Sequence, residues 1–237
     1  MAHINKRRSA TKLEIMQAAV KSFVENGYTK TSLSRLSAEL DMSLGNITHY
    51  FPTKEHLFAV LVDEIFDYQN IVMAQFVQEG TSSLLAYCLE LTTIAASCEE
   101  DEVARDFYSA AYVLPMTLAL IRENDTERTK RVFAQFRPDW TDEDWRMTES
   151  LVSGIEYATI MTTEEDIPLE KQLEYSLNMI LFAYGVPKEL RETKIKKVLA
   201  MDYRALGRRT LNGFREHIDH ISEANLKKER KLREAKN

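Results

Sequence analysis

Residues Thr31 to Phe51, TSLSRLSAELDMSLGNITHYF, hold two short amphipathic segments separated by a break, and the second is too polar for an ordinary core helix. The first carries Leu33, Leu36 and Leu40 at spacings of three and four, an apolar stripe on one helix face. Thr31 or Ser32 supplies a cap for its leading N–H groups. Asp41-Met42-Ser43 breaks the pattern, and Ser43 caps a new helix. That helix buries Ile47 and Tyr50 or Phe51, and leaves Leu44, Gly45, Asn46, Thr48 and His49 elsewhere on its surface. Phe51 precedes Pro52, which disfavours helical geometry and ends the element. Thr53 then caps a longer helix from Lys54. So polar a helix needs a polar partner, and DNA is the leading candidate. The layout is that of a helix-turn-helix, whose second helix lies in the major groove.

The net charge of −6 looks wrong for a DNA binder until its distribution is read. Residues 1–55 hold eight Lys/Arg against five Asp/Glu, residues 56–187 eight against twenty-four, and residues 188–237 fifteen against eight. Positive charge therefore gathers at the two ends, and the acidic middle is kept off phosphate. With 44% hydrophobic residues, 29% charged, seven Gly and five Pro, the chain predicts an all-α protein with a packed core. No apolar run is long enough for a membrane span, and the basic start MAHINKRRSATK lacks the apolar stretch of a signal peptide, so a cytoplasmic protein without membrane partners is expected. Cys88 and Cys98 fall on one helix about three turns apart, too far for a disulfide. They read as buried thiols.

The helix from Lys12 to Asn26 places Leu13, Met16, Val20, Phe23 and Val24 on one face, and Gly27 suits its close. Ahead of it, Lys6-Arg7-Arg8 and Lys12 form a basic arm, either a solvated disordered terminus or a phosphate or minor-groove contact. A helix over about 54–77 follows, and further helices are predicted near 82–98, 101–112, 115–135, 142–161, 168–184, 188–200 and 202–232, with Pro115, Pro138, Pro168 and Pro187 as punctuation. Leu206, Leu211, Phe214, Ile218 and Ile221 stripe the last helix, and residues 225–237 form a charged tail. The tail reads as a solvated, fraying end, with a second DNA or partner contact as the alternative.

The stretch Lys12 to Leu57 resembles the DNA-binding domain of the tetracycline-repressor (TetR) family of bacterial regulators. The matching parts are Phe23-Val24-Glu25-Asn26-Gly27-Tyr28, Thr31-Ser32, Leu36-Ser37-Ala38, Ser43 through Phe51, and Pro52-Thr53-Lys54-Glu55-His56-Leu57, in order and spacing. The resemblance covers roughly the first quarter of the chain. It departs from the family at Asp41, where a turn glycine is usual, at Leu44, which replaces a common lysine, and at Thr48, which replaces a common tyrosine. The resemblance implies a three-helix DNA-binding domain over 1–53 and a larger helical effector-binding and dimerisation domain over 54–232. The helix over 54–77 would be the lever between them. It implies that Ser43, Gly45, Asn46, Thr48 and His49 approach DNA, with Leu44 beside them. Asn46 suits adenine edges and Thr48 a base or thymine methyl. Thr31, Ser32, Tyr50 and Lys54 suit phosphate.

Two further sites are expected on the same footing. Aromatic and polarizable residues of the middle helices, among them Tyr87, Tyr108, Tyr112, Trp145 and Tyr157, are either core or the wall of an effector pocket. Glu102, Asp106, Glu149 and Glu156 point to a cationic or amine-bearing ligand, or form a solvated face. Leu151, Ile155 and Ala158, with Leu173, Leu177, Ile180, Leu181 and Tyr184, are either an intrachain core or a four-helix homodimer interface. A dimer would present two recognition helices to a pseudo-palindromic double-stranded operator. No glycine-rich phosphate loop or GxSxG motif is present, no cofactor or metal site is expected, and His217 with His220 reads as a solvated pair. The chain reads as a ligand-responsive repressor and not an enzyme. The alternative is an architectural or cell-division DNA-binding protein of the same fold without an effector.

Overall fold

The computed structural model describes residues 2–78, 82–161, 167–210, 212–214 and 216–217, with side chains from Thr11 onward except at 73, 77 and 78. Among these residues the regular structure is entirely helical. The helices are α1 (Ala2–Lys30), α2 (Leu33–Glu39), α3 (Leu44–Tyr50), α4 (Lys54–Gln78), α5 (Ser83–Glu100), α6 (Glu102–Val113), α7 (Pro115–Phe133), α8 (Asp142–Met161), α9 (Leu169–Ala183) and α10 (Lys188–Leu199). A 3₁₀ turn, Ala134–Phe136, follows α7, and a further helical stretch occupies 203–210.

Local chemistry accounts for most of the boundaries. Ser32 and Ser82 accept hydrogen bonds from the N–H groups of Arg35 (3.2 Å) and Leu85 (3.3 Å), capping α2 and α5. The Asp101 carboxylate accepts from Val103 N–H at 2.8 Å and separates α5 from α6. Pro115 opens α7 at a position where its missing N–H costs nothing. Gly185, at φ 76°, closes α9, with Gly185 N–H donating to Phe182 and Val186 N–H to Leu181, both at 2.9 Å. One expected boundary is wrong. α1 starts at Ala2, not Lys12, so the backbone under Lys6-Arg7-Arg8 is helix and not a disordered arm. No Gly or Pro lies between Ala2 and Asn26 to stop it.

Two packing units share α4. In the first, Ile15, Ala19 and Phe23 of α1 meet Leu36, Ile47 and Phe51, and Leu57 and Phe58 of α4 complete the core. In the second, α4 through α10 bury their apolar faces around α5, whose residues Leu84 to Cys98 are all buried. A helix apolar on every side belongs at the centre of a bundle. Gly207 rests on it so closely that a Cβ there would lie 2.8 Å from both the Ser97 hydroxyl and the Thr93 carbonyl oxygen. Cys88 and Cys98 are free, buried thiols, as expected, and burial pushes both up to about 12. Phe214 packs on Tyr68, with ring centroids 5.7 Å apart. Leu211, Ile218, His220, Ile221 and the 225–237 tail lie outside the described residues, so the histidine pair and the tail readings are not addressed.

The two units are joined at the end of α1. Gly27 turns the chain at φ 78°, ψ 178°, and Asp106 of α6 comes up beneath it. The Asp106 carboxylate accepts from Thr29 N–H at 2.7 Å and from Thr29 Oγ1–H at 2.5 Å. A Cβ at position 27 would sit 2.3 Å from Asp106 Oδ2, on a backbone that L-residues rarely adopt. Gly27→Ala should therefore lower stability by about 1–3 kcal/mol, read as a fall in the urea or thermal midpoint with helix content retained. An unchanged midpoint would show that this junction relaxes freely.

Candidate functional site

The seven-residue α3 buries Ile47 completely and little else. Ser43 caps it by accepting from Asn46 N–H at 3.2 Å, and Asp41 makes the preceding turn at φ 49°, a conformation that Asp tolerates. Ser43, Leu44, Gly45, Asn46 and His49 are exposed. Thr48 is half-buried, with its hydroxyl donating to the Gly45 carbonyl at 3.3 Å. A Cβ at Gly45 would meet nothing within 4 Å, so no internal contact requires glycine there. The residue leaves room only on the outside.

Three of the expected phosphate ligands are placed otherwise. Thr31 is buried, its hydroxyl donating to the Gly27 carbonyl at 2.8 Å and lying 3.0 Å from the Ser22 hydroxyl. Lys54 donates to the carbonyls of Tyr28 (3.0 Å) and Thr31 (3.1 Å) and lies 3.8 Å above the Tyr28 ring. It closes the end of α1, and burial lowers its pKa. Tyr50 is half-buried, edge-on to His49. Ser32 remains exposed, its hydroxyl engaged as the α2 cap.

A second site lies inside the larger unit. Helices α4 to α8 enclose a narrow cavity with about 20 Å³ open to the centre of a water-sized sphere, space for about one water. Apolar residues including Ile65, Phe66, Ile94, Phe107 and Ile121 line it, together with Tyr87, Glu90, Tyr108, Tyr112, Asp125, Arg128 and Glu156. Glu156 accepts from Tyr87 OH at 3.2 Å on one oxygen and from Tyr112 OH at 3.1 Å on the other. Arg128 pairs with Glu90 and, at 2.8 Å, with Asp125. Beside them Glu149 accepts from Tyr184 OH at 2.6 Å. One oxygen each from Asp125, Glu149 and Glu156 lie within 4.8 Å of one another. An outer cleft of about 220 Å³ between α4, α5 and α7 shares the walls formed by Tyr87, Glu90 and Arg128.

Of the residues expected around an effector, Tyr87, Tyr108, Tyr112 and Glu156 meet at this cavity. The other five do not line it, although Glu149 lies beside Asp125 and Glu156. Glu102 is exposed at the start of α6, and Asp106 is spent on Thr29. Trp145 is buried against Trp140 and Tyr184, at 4.7 and 6.1 Å between centroids, and Tyr157 is half-buried off the lining.

The expected dimer residues divide in the same way. Leu173, Leu177, Ile180, Leu181 and Tyr184 are all 0% exposed within the single chain, so they are core and cannot meet a partner. The opposite faces of the same two helices are open and apolar. α8 presents Leu151 at 71% exposure and Met147 at 60%, with Gly154 and Ala158 exposed and Ile155 half-buried. α9 presents Tyr175 at 67% and Phe182 at 62%, with Met179 beside them.

Residues 15–61, which span α1 to α4 through the helix-turn-helix, match the family model of bacterial regulatory proteins of the tetR family. Over these residues the chain carries a DNA-binding domain of the tetR type. It is 30% identical over 95 residues to the HTH-type transcriptional regulator YuxN of Bacillus subtilis (strain 168), a match covering 40% of this chain and 32% of that one. In fold it is similar to RolR, solved in complex with resorcinol, with a TM-score of 0.63 at 14% identity over 83% of this chain and 96% of that one. RolR without ligand gives a TM-score of 0.55 over 77% and 95%. That likeness in fold extends over the larger unit as well. No described helix is long and apolar enough to cross a membrane.

Sequence reasoning missed Glu90, Asp125 and Arg128. The available signal was Asp125 and Arg128 at a spacing of three, which reads equally well as a surface pair. Their burial sets the charge of the site. Burial, reinforced by the Asp125 charge, raises Glu149 from 4.5 to about 8. Burial, then Asp125 and Glu149, raises Glu156 well above the carboxylate range. Asp125 rises to about 6 by burial, against the pull of Arg128. At neutral pH Glu149 is therefore mostly protonated, and burial pushes Glu156 in the same direction.

A raised carboxyl pKa means that the folded chain binds its proton more tightly than the unfolded chain. For Glu149 the resulting stability is present below 4.5, and is lost as pH rises from there to about 8. Glu149→Gln should flatten the decline of Tm across that window by at least about 2–4 °C, the shift equivalent to 1 kcal/mol in a chain of this size. Melting curves at steps between pH 5 and 8 provide the check, and parallel slopes for both proteins would refute it.

Proposed function

We propose that this TetR-family protein is a sequence-specific DNA-binding regulator, acting in the cytoplasm as a homodimer on a pseudo-palindromic operator and released from it by a small effector in the buried cavity. The carrying observation is α3, which buries only Ile47 and turns Ser43, Gly45, Asn46 and His49 outward. Asn46 would read a base edge, and Gly45 would let the α3 backbone approach the groove. RolR, similar in fold, was solved with the small molecule resorcinol, which supports a small-ligand role for this chain.

The same helix that lines the cavity holds the DNA-binding unit. α6 contributes Phe107, Tyr108 and Tyr112 to the lining, while its Asp106 grips Thr29. Phe107 also meets Phe58 of α4, and Phe58 meets Phe23 of α1, both at 5.0 Å between centroids. A ligand that shifts α6 would shift the heads, so effector and DNA affinities are linked reciprocally. The exposed apolar faces of α8 and α9 are the surfaces for a second copy.

The first test is a mobility shift of the purified protein on DNA flanking its own coding region, with excess non-specific competitor. A discrete competitor-resistant complex is expected. Asn46→Ala should weaken it by about 1–3 kcal/mol, roughly 5–150-fold, while non-specific binding stays near wild type. Equal loss of both would remove Asn46 from base reading. Leu151→Glu combined with Phe182→Glu should turn the dimer into a folded monomer by sedimentation and abolish operator binding. A dimer that survives this pair would place the interface elsewhere.

A further inference from the structure

We propose that Asp125, Glu149 and Glu156 form the recognition site for an organic ammonium ion with a small apolar body, and that this cation is the effector. The inference rests on the effector reading of the cavity and assigns its ligand class. Three observations carry it. First, four buried carboxyl groups share one guanidinium, so an incoming cation would favour loss of the protons that burial holds on them. Glu90 and Asp125 share the Arg128 guanidinium, but among the described residues no ion pair includes Glu149 or Glu156. Second, Glu149 is 1% exposed, and its Oε1 has no hydrogen-bond partner. A buried polar atom without a partner costs about 1–3 kcal/mol, and a ligand that bonds to it would recover this. Third, Asp125 and Glu156 line a cavity with an apolar wall, and an oxygen of Glu149 lies within 4.8 Å of an oxygen on each.

The geometry favours an ammonium. Three carboxylate oxygens lie within 4.8 Å of one another. A tetrahedral R–NH₃⁺ has three N–H donors, and hydrogen bonds near 2.8 Å would place its three acceptors about 4.6 Å apart. A bare dication such as Mg²⁺ holds its oxygens at about 2.1 Å and leaves no use for the surrounding apolar residues. Anions are disfavoured because Arg128 is already committed to two carboxylates. The Tyr87 and Tyr112 rings beside Glu156 offer further stabilisation to a cation.

The space open in this conformation is too small for such a ligand, and the outer cleft supplies the remainder. Tyr87, Glu90 and Arg128 belong to both walls, so the Glu90–Arg128 pair is the partition between the 220 Å³ cleft and the inner cavity. Swinging Arg128 outward joins the two. The merged space suits a primary amine on one aromatic ring or a short alkyl chain.

The test uses the full chain without DNA. Phenethylamine and hexylamine are titrated by calorimetry and thermal shift beside the neutral alcohols 2-phenylethanol and hexanol, and beside the anion phenylacetate. The expected result is one ammonium ion bound per chain, at least about tenfold tighter than alcohol or anion. Glu149→Gln and Glu156→Gln, which retain volume and hydrogen bonding, should each remove that preference without lowering the melting temperature at neutral pH. Equal binding of alcohol and amine, no shift with either amine at millimolar concentration, or stabilisation by Mg²⁺ alone that Glu149→Gln abolishes would overturn the proposal. The amines are then added to the operator complex. Binding that leaves the complex intact overturns the effector role while the ammonium site stands, so failure of the site and failure of the regulatory reading are distinguishable.

Discussion

Phe58 is the ring on which the two halves of this molecule meet. It is fully buried on α4, with Phe23 and Tyr28 of the DNA-binding unit on one side and Phe107 of α6 on the other, at centroid separations of 5.0, 4.8 and 5.0 Å. Aromatic contacts of this kind are dense and poorly compressible, so motion on one side displaces the other. The Asp106–Thr29 hydrogen bonds add a directional constraint at the same junction. Because α4 runs unbroken through both units, the recognition helix is held by the same packing that encloses the cavity. Head position and cavity shape are two views of one arrangement.

The interior of the larger unit combines dense packing with a costly polar cluster. Four carboxyl groups, Glu90, Asp125, Glu149 and Glu156, are buried near Arg128. Hydrophobic residues of similar volume would often make a core more stable than buried ionisable groups do. The chain lowers the penalty by protonation, by tyrosine hydroxyls on Glu149 and Glu156, and by sharing one guanidinium between Glu90 and Asp125. One oxygen of Glu149 still has no partner. A cluster that is incompletely satisfied in this conformation gains most from an arrangement that supplies the missing donor, which makes the site a natural place for a conformational equilibrium to be biased.

Much of the architecture was legible because local signals agreed with the tertiary result. Ser43 caps α3, Ile47 alone anchors it, and the prolines at 115 and 187 stand at helix starts where the sequence placed breaks. The failures share a cause. Thr31 and Lys54 look like surface donors until the fold brings the carbonyls of Gly27 and Tyr28 to them. The stripe from Leu173 to Tyr184 is a correct reading of periodicity but an incorrect reading of partner, since α9 is apolar on two faces and periodicity does not say which one meets the same chain. Asp125 and Arg128 lie on a helix whose sequence is polar enough to suit solvent, and only the packing of α5 and α8 over them makes the pair interior.

The all-round burial of α5 has a consequence for chemical reactivity. With both thiols pushed up to about 12, the nucleophilic thiolate is nearly absent at Cys88 and Cys98 at neutral pH, and neither sulfur meets solvent. The folded chain should therefore be inert to oxidants and alkylating reagents at its only two cysteines. Any labelling must pass through states in which the central helix is uncovered. The two cysteines are thus built-in clocks for the opening of the bundle, readable without adding a probe to either the DNA-binding surface or the cavity.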